Sequence, residues 1–159
     1  MGIAITLQNF LSTQGIDYEM VPHAHTYSSI DTAHAAHVPG DLVAKAVLLE
    51  DGQGYLVAVV PATHKLELGM LQNQIERDLA LAPEREVGEL FKDCELGAIP
   101  ALGPAYGLDT VCEESLMEAP HVYLEAGDHE HLIHLTGEQF RQVMGHAQRA
   151  HISHHTYIR

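Results

Sequence analysis

The chain has 159 residues, 46% of them apolar, which fits one domain with a real core and excludes a disordered chain. Eight lysines and arginines against 22 acidic residues give a net charge of −14, which argues against broad non-specific binding to nucleic-acid phosphates and leaves only a narrow basic contact. No apolar run approaches the roughly 20 residues that span a bilayer, the first residues lack the basic region of a signal peptide, and two cysteines make no disulfide framework, so the expectation is a cytoplasmic protein without membrane contact.

In chain order, residues 3–14 predict a helix, with Ile3, Leu7, Phe10 and Leu11 on one stripe and Gly15 as its stop. A short strand over 17–22 ends at Pro22, and residues 23–27 form a loop. Ser28 and Asp31 have the spacing of a capping box that opens a helix to about His37. Residues 42–49 and 55–60 are apolar strands across a turn at Asp51-Gly52-Gln53-Gly54, an antiparallel hairpin. Helices follow over 67–79 and from Pro83, then a loop over 94–107 with three glycines and two prolines. Strands are expected at 108–112, 121–125 and 131–135. Thr136 and Gln139 then cap a last helix through Phe140, Val143, Met144 and Ala147. From His146 a polar, His-rich tail over 146–159 is expected to fray. Hairpins interspersed with helices predict one α+β domain over 1–159, with a mixed, curved, barrel-like sheet flanked by helices.

The stretch Val43-Ala44-Lys45-Ala46-Val47-Leu48-Leu49 places a lysine inside an apolar strand. Period-two geometry puts Lys45 on the face shared by Val43, Val47 and Leu49. Taking an ammonium group out of water costs several kcal/mol unless it is paired or its pKa falls. Lys45 therefore either reaches the strand edge or a core carboxylate, or serves a function.

The loop Gly97 to Gly107 is suited to backbone-mediated binding, because glycines let main-chain N–H groups approach an anion or oxyanion; a tight structural crossover is the alternative. His23-x-His25, His129-x-His131 and His131-x-x-His134 have spacings a metal can use, but no accompanying ligand set marks a metal centre, so surface histidines are the expectation and no metal is assigned. Cys94 and Cys112 are expected as small apolar residues rather than nucleophiles.

Residues 43–49, then Tyr55-Leu56-Val57-Ala58-Val59-Val60-Pro61-Ala62, then Gly97-Ala98-Ile99-Pro100 resemble the YbaK family. These are free-standing aminoacyl-tRNA deacylases related to the editing domain inserted in bacterial prolyl-tRNA synthetase. The likeness covers about residues 3 to 145. It extends through Gly107-Leu108, Glu113-Glu114-Ser115-Leu116 and Glu125-Ala126-Gly127-Asp128-His129, which are similar to a stand-alone bacterial branch. Two positions depart from the family pattern. Two residues, not the usual three, separate Gly97 from Pro100, and Ala46 stands where many members carry Thr or Asn.

The resemblance implies trans-editing: hydrolysis of the ester joining a mischarged amino acid to the tRNA 3′-terminal adenosine, with no cofactor. The partner it implies is the tRNA acceptor end; so small a contact needs few basic residues, and in this chain Lys65, Arg77 and Lys92 are the candidates. It assigns the chemistry to Lys45 and to the loop at Gly97 and Ala98. It gives substrate contacts to Thr26, Tyr27, Ala46, Ile99, Pro100, Ala101, Gly127 and His129, with His129 able to shuttle a proton. The alternative is a non-catalytic module that binds an aminoacyl-nucleotide or small ligand, or docks on a synthetase.

Overall fold

The computed structural model describes residues 3–156. Helix α1 (Ile5–Thr13) buries Leu7 and Leu11 and is followed by strand β1 (Glu19–Pro22). Helix α2 (Ser29–Ala36) starts where the Ser28 hydroxyl accepts the Asp31 N–H, the cap its sequence predicts. Strands β2 (Val43–Glu50) and β3 (Tyr55–Pro61) form the predicted hairpin, with Lys45 opposite Val60. Strand β4 (His64–Leu66), helix α3 (Leu68–Ile75), the two-residue strand β5 (Ala80–Leu81) and helix α4 (Glu84–Leu90) come next. The second half holds β6 (Asp109–Glu113), α5 (Glu114–Glu118), β7 (His121–Glu125), β8 (His131–Thr136), α6 (Gly137–Met144), β9 (Gln148–Ala150) and β10 (Ser153–His155).

The main sheet runs β1-β8-β7-β2-β3-β6-β9, with β5 added to β2. It is mixed: β2 lies parallel to β7, β3 to β6 and β6 to β9, and the other pairs are antiparallel. The fold is therefore a mixed sheet flanked by helices, as the sequence predicts. Strand β2 separates the cores by its own alternation. Ala44 and Leu48 join a large cluster with Leu7, Phe91 and Phe140. Val43 faces the other way, with Ala33, Ala62 and Leu132, and Leu49 packs with Leu56, Leu71 and Ile152. Lys45 lies on this second face, between two apolar clusters.

Three expectations are corrected. The helix predicted over 67–79 stops at Ile75, because Glu76 takes a left-handed conformation (φ 55°) and Arg77 turns back to Asp51, with Nε 2.8 Å from Oδ2. Strands β4 and β5 and helix α5 are too short to carry a periodic signal. The tail does not fray over its described part: β9 adds to β6 and β10 pairs with β4. Ile152 there is fully buried, and the buried Glu113 carboxylate takes its N–H (3.0 Å) and the Ser153 hydroxyl (2.5 Å). Residues 157–159 of the predicted tail lie outside the described residues.

Candidate active site

Lys45 is half-buried, and no hydrogen bond or ion pair holds its ammonium among the described residues; burial pushes its pKa down. The pairing with a core carboxylate that the sequence leaves open is thus not made. The ammonium borders a cleft of about 410 Å3 between the start of α2 (Ser28, Ser29, Ile30) and β4, and His64 and Lys65 line the same cleft. Two of the chain's three lysines therefore meet at one concave surface. In a chain of net charge −14, that is where an anionic group is best received.

The Gly97 loop is a different construction. The Ala98 N–H bonds Glu95 O (3.1 Å), closing a turn whose third residue, Gly97, has φ 85°, as a type II turn requires. A Cβ at Gly97 would meet His129 Cε1 at 3.1 Å, so a side chain there is both strained and crowded. His129 is buried with φ 61°, and its Nε2–H donates to Leu96 O (2.6 Å), which fixes the turn. Its Nδ1 is buried without a partner. His129 thus stands behind the loop and braces it. Ala98, Pro100 and Ala101 are buried, and Ile99 packs against the large core. No acceptor takes the N–H groups of Gly97, Ile99 or Ala101 among the described residues.

One segment joins the two regions. The Tyr27 carbonyl sits 3.5 Å from the position of a Gly97 Cβ, and the Tyr27 ring, 80% exposed, lies 6.0 Å from the His129 ring, while the next residues, Ser28 to Ile30, line the Lys45 cleft. The segment is pinned from below. Thr26 Oγ1 and Thr32 Oγ1 lie 2.6 Å apart, and the Thr32 hydroxyl donates to Glu125 Oε2 (3.0 Å) at the end of β7. Glu125 is almost wholly buried and its Oε1 has no partner. Burial, reinforced by Asp128 and opposed by the Thr32 hydrogen bond, pushes its pKa up to about 7.

The structure therefore groups Lys45 with Ser28–Ile30, and Thr26 and Tyr27 with Gly97 and His129. Ala46 points to the opposite face of β2, into the large core. Gly127 is buried, with Ala4 and Cys94 where a Cβ would go, so it makes no exposed wall. Sequence reasoning missed His64. It is one of thirteen histidines, and its partners are distant in sequence.

Other groups prove committed elsewhere. Asp128 resists the upward push of burial through the Glu130 and His131 N–H groups and the His131 ring, and stays below the usual carboxylate range. His129 and His131 therefore bind different partners. No group of three or more His, Cys, Asp or Glu side chains is placed to hold a metal among the described residues. Burial pushes the Cys94 thiol up to about 12 and raises Cys112 strongly, so neither is a ready nucleophile. A larger groove of about 600 Å3 lies between α1, α6 and β6, away from all these residues. Its arginine, Arg77, is already neutralised by Asp51 (2.8 Å) and Asp109 (3.8 Å), so the smaller lysine cleft is the better site for an anion. No helix among the described residues is long and apolar enough to cross a membrane.

A solved structure of a candidate trans-editing enzyme for prolyl tRNA synthetase superimposes with TM-score 0.81 at 23% identity, over 94% of this chain and 95% of that one. A scaffold protein from computational epitope grafting gives TM-score 0.80 at 21% identity, over 95% and 96%. A candidate signal transduction protein from Marinobacter aquaeolei VT8 gives 0.75 at 26% identity, over 96% of this chain but 31% of that one. No curated protein matches the sequence. The model of the aminoacyl-tRNA editing domain matches residues 23–143, most of the chain and both regions just described. The chain belongs to the aminoacyl-tRNA editing domain family.

Proposed function

We propose that this chain is a trans-editing deacylase that hydrolyses the ester of a mischarged aminoacyl-tRNA. The observation that carries the proposal is the unpaired, half-buried ammonium of Lys45 beside Lys65 in one cleft of an editing-domain fold. The two cations receive the terminal adenosine and its phosphate, a contact small enough for an acidic protein. Lys45, half-buried at the cleft wall, also stabilises the charge that develops on the ester carbonyl. The unspent N–H groups of Gly97, Ile99 and Ala101 are the further donors to that oxyanion, and Thr26 and Tyr27 flank the amino acid. Water adds to the carbonyl carbon, the ester C–O bond breaks, and the ribose oxygen leaves with a proton. Neither a metal nor an organic cofactor enters these steps.

The test is deacylation of a panel of mischarged tRNAs, alanyl-, cysteinyl- and seryl-tRNA among them, by wild type and Lys45→Ala. Clearance of one substrate by wild type and not by the variant supports the proposal. Tight binding of an aminoacylated end with no turnover of any substrate makes the chain a non-catalytic binding module instead.

A further inference from the structure

The Lys45 cleft holds one more group with its chemistry already arranged. The Glu113 carboxylate, held below the usual range by hydrogen bonds that outweigh its burial, can only accept. Its Oε1 takes the Ile152 N–H (3.0 Å) and the Ser153 hydroxyl proton (2.5 Å). Ser153 has one proton and has given it away, so its oxygen accepts at the next contact, 2.7 Å from His64 Nδ1. His64 must then carry its proton on Nδ1. Its Nε2 is left as the basic lone pair, with no protein partner among the described residues, on a ring that lines the cleft with Lys45. A nucleophile-activating base oriented by a serine and a buried carboxylate follows the general logic of a catalytic relay.

We propose that His64 is the general base of the deacylation, with Ser153 and Glu113 as positioning residues that fix its tautomer. This rests on the deacylase reading above. Nε2 takes a proton from the attacking water as its oxygen bonds to the ester carbonyl carbon. The same proton then passes to the ribose oxygen as the C–O bond breaks, so His64 ends as it began. The base must be neutral to work. Burial lowers the His64 pKa and favours the neutral ring near neutral pH. Glu113 and Asp41 act against that shift, and His155 and His151 act with it. Lys45 and Lys65 share the cleft and oppose protonation, and Glu67, beside β4, is already paired with His154.

The experiment is the pH profile of kcat/KM for wild type, His64→Gln and Ser153→Ala, alongside 15N NMR of the wild-type His64 ring. The expected wild-type profile falls on its acid side, below the ordinary histidine range. His64→Gln is expected to lose about 100-fold near neutral pH and to lose that limb, and Ser153→Ala about tenfold with the limb displaced. NMR is expected to find the proton on Nδ1. A wild type that turns over while His64→Gln keeps both rate and profile overturns this inference and leaves the deacylase reading intact. A proton on Nε2 overturns it whatever the activity. A wild type inert on every substrate removes the reading and this role together.

Discussion

Around Lys45 the fold leaves ionisable groups unspent, whereas around Gly97 it consumes nearly all of them. In the first region the Lys45 ammonium and the His64 Nε2 have no protein partner among the described residues and border open space. In the second, His129 is bound to Leu96, the Ala98 N–H to Glu95, and Gly97 is wedged against the His129 ring. The same family match spans both. The unpaired groups of the first region face open space, whereas the one unpaired ring atom of His129, Nδ1, is buried behind the loop. In the proposed deacylation the first region supplies charge and proton transfer, and the second supplies a rigid backbone.

The largest expected effect is at Lys45. Lys45→Ala is expected to lower kcat/KM by about 10²–10³-fold, as removal of a principal oxyanion-stabilising group does, while the folded state is retained because a half-buried cation is removed. Steady-state kinetics with thermal melting checks both halves; a loss of activity that tracks a loss of fold would assign Lys45 to structure. Rigidity beneath the loop is tested at Gly103, where a Cβ would meet Thr110 Oγ1 at 1.9 Å. Gly103→Ala is expected to cost about 2–3 kcal/mol by chemical denaturation.

Glu125, beneath the segment that joins the regions, sharpens the contrast through pH. Its folded pKa, about 7, is raised above the value of 4.5 for a free glutamate, so the folded state holds an extra proton between those values. Its stabilising contribution is present below about pH 4.5 and is lost as pH rises through 7, by at most about 3 kcal/mol. Glu125→Gln, which cannot ionise, is expected to flatten this decline in a melting series. An unchanged slope would place the ionisation elsewhere. The smallest expected effect is at Lys65, which is exposed at the cleft edge. Lys65→Ala is expected to raise KM a few-fold, leave kcat unchanged, and reduce the salt dependence of tRNA binding by about one charge.

What the sequence revealed was what is encoded locally. The lysine inside the apolar run of β2 stands out because its six neighbours over 43–49 are all apolar, and the caps at Ser28 and Thr136 declare themselves over three residues. The Gly97 turn is also visible, because φ 85° demands glycine. What stayed hidden was every device made by distant pairing. His64 and Ser153 are 89 residues apart, Ser153 and Glu113 are 40, and Thr32 and Glu125 are 93. The brace that His129 forms behind the Gly97 loop stayed hidden for the same reason, because its bond to Leu96 spans 33 residues.

The most direct test of this division is to map the binding of a non-hydrolysable, amide-linked aminoacyl-adenosine analogue by NMR. Shifts are expected to concentrate at Ser28–Ile30, Lys45, His64 and Lys65, with lesser shifts at Gly97 and Tyr27, and no response at Phe10, Leu108 or Gln142. Shifts centred on those last three, in the larger groove, with none at Lys45, would contradict this division.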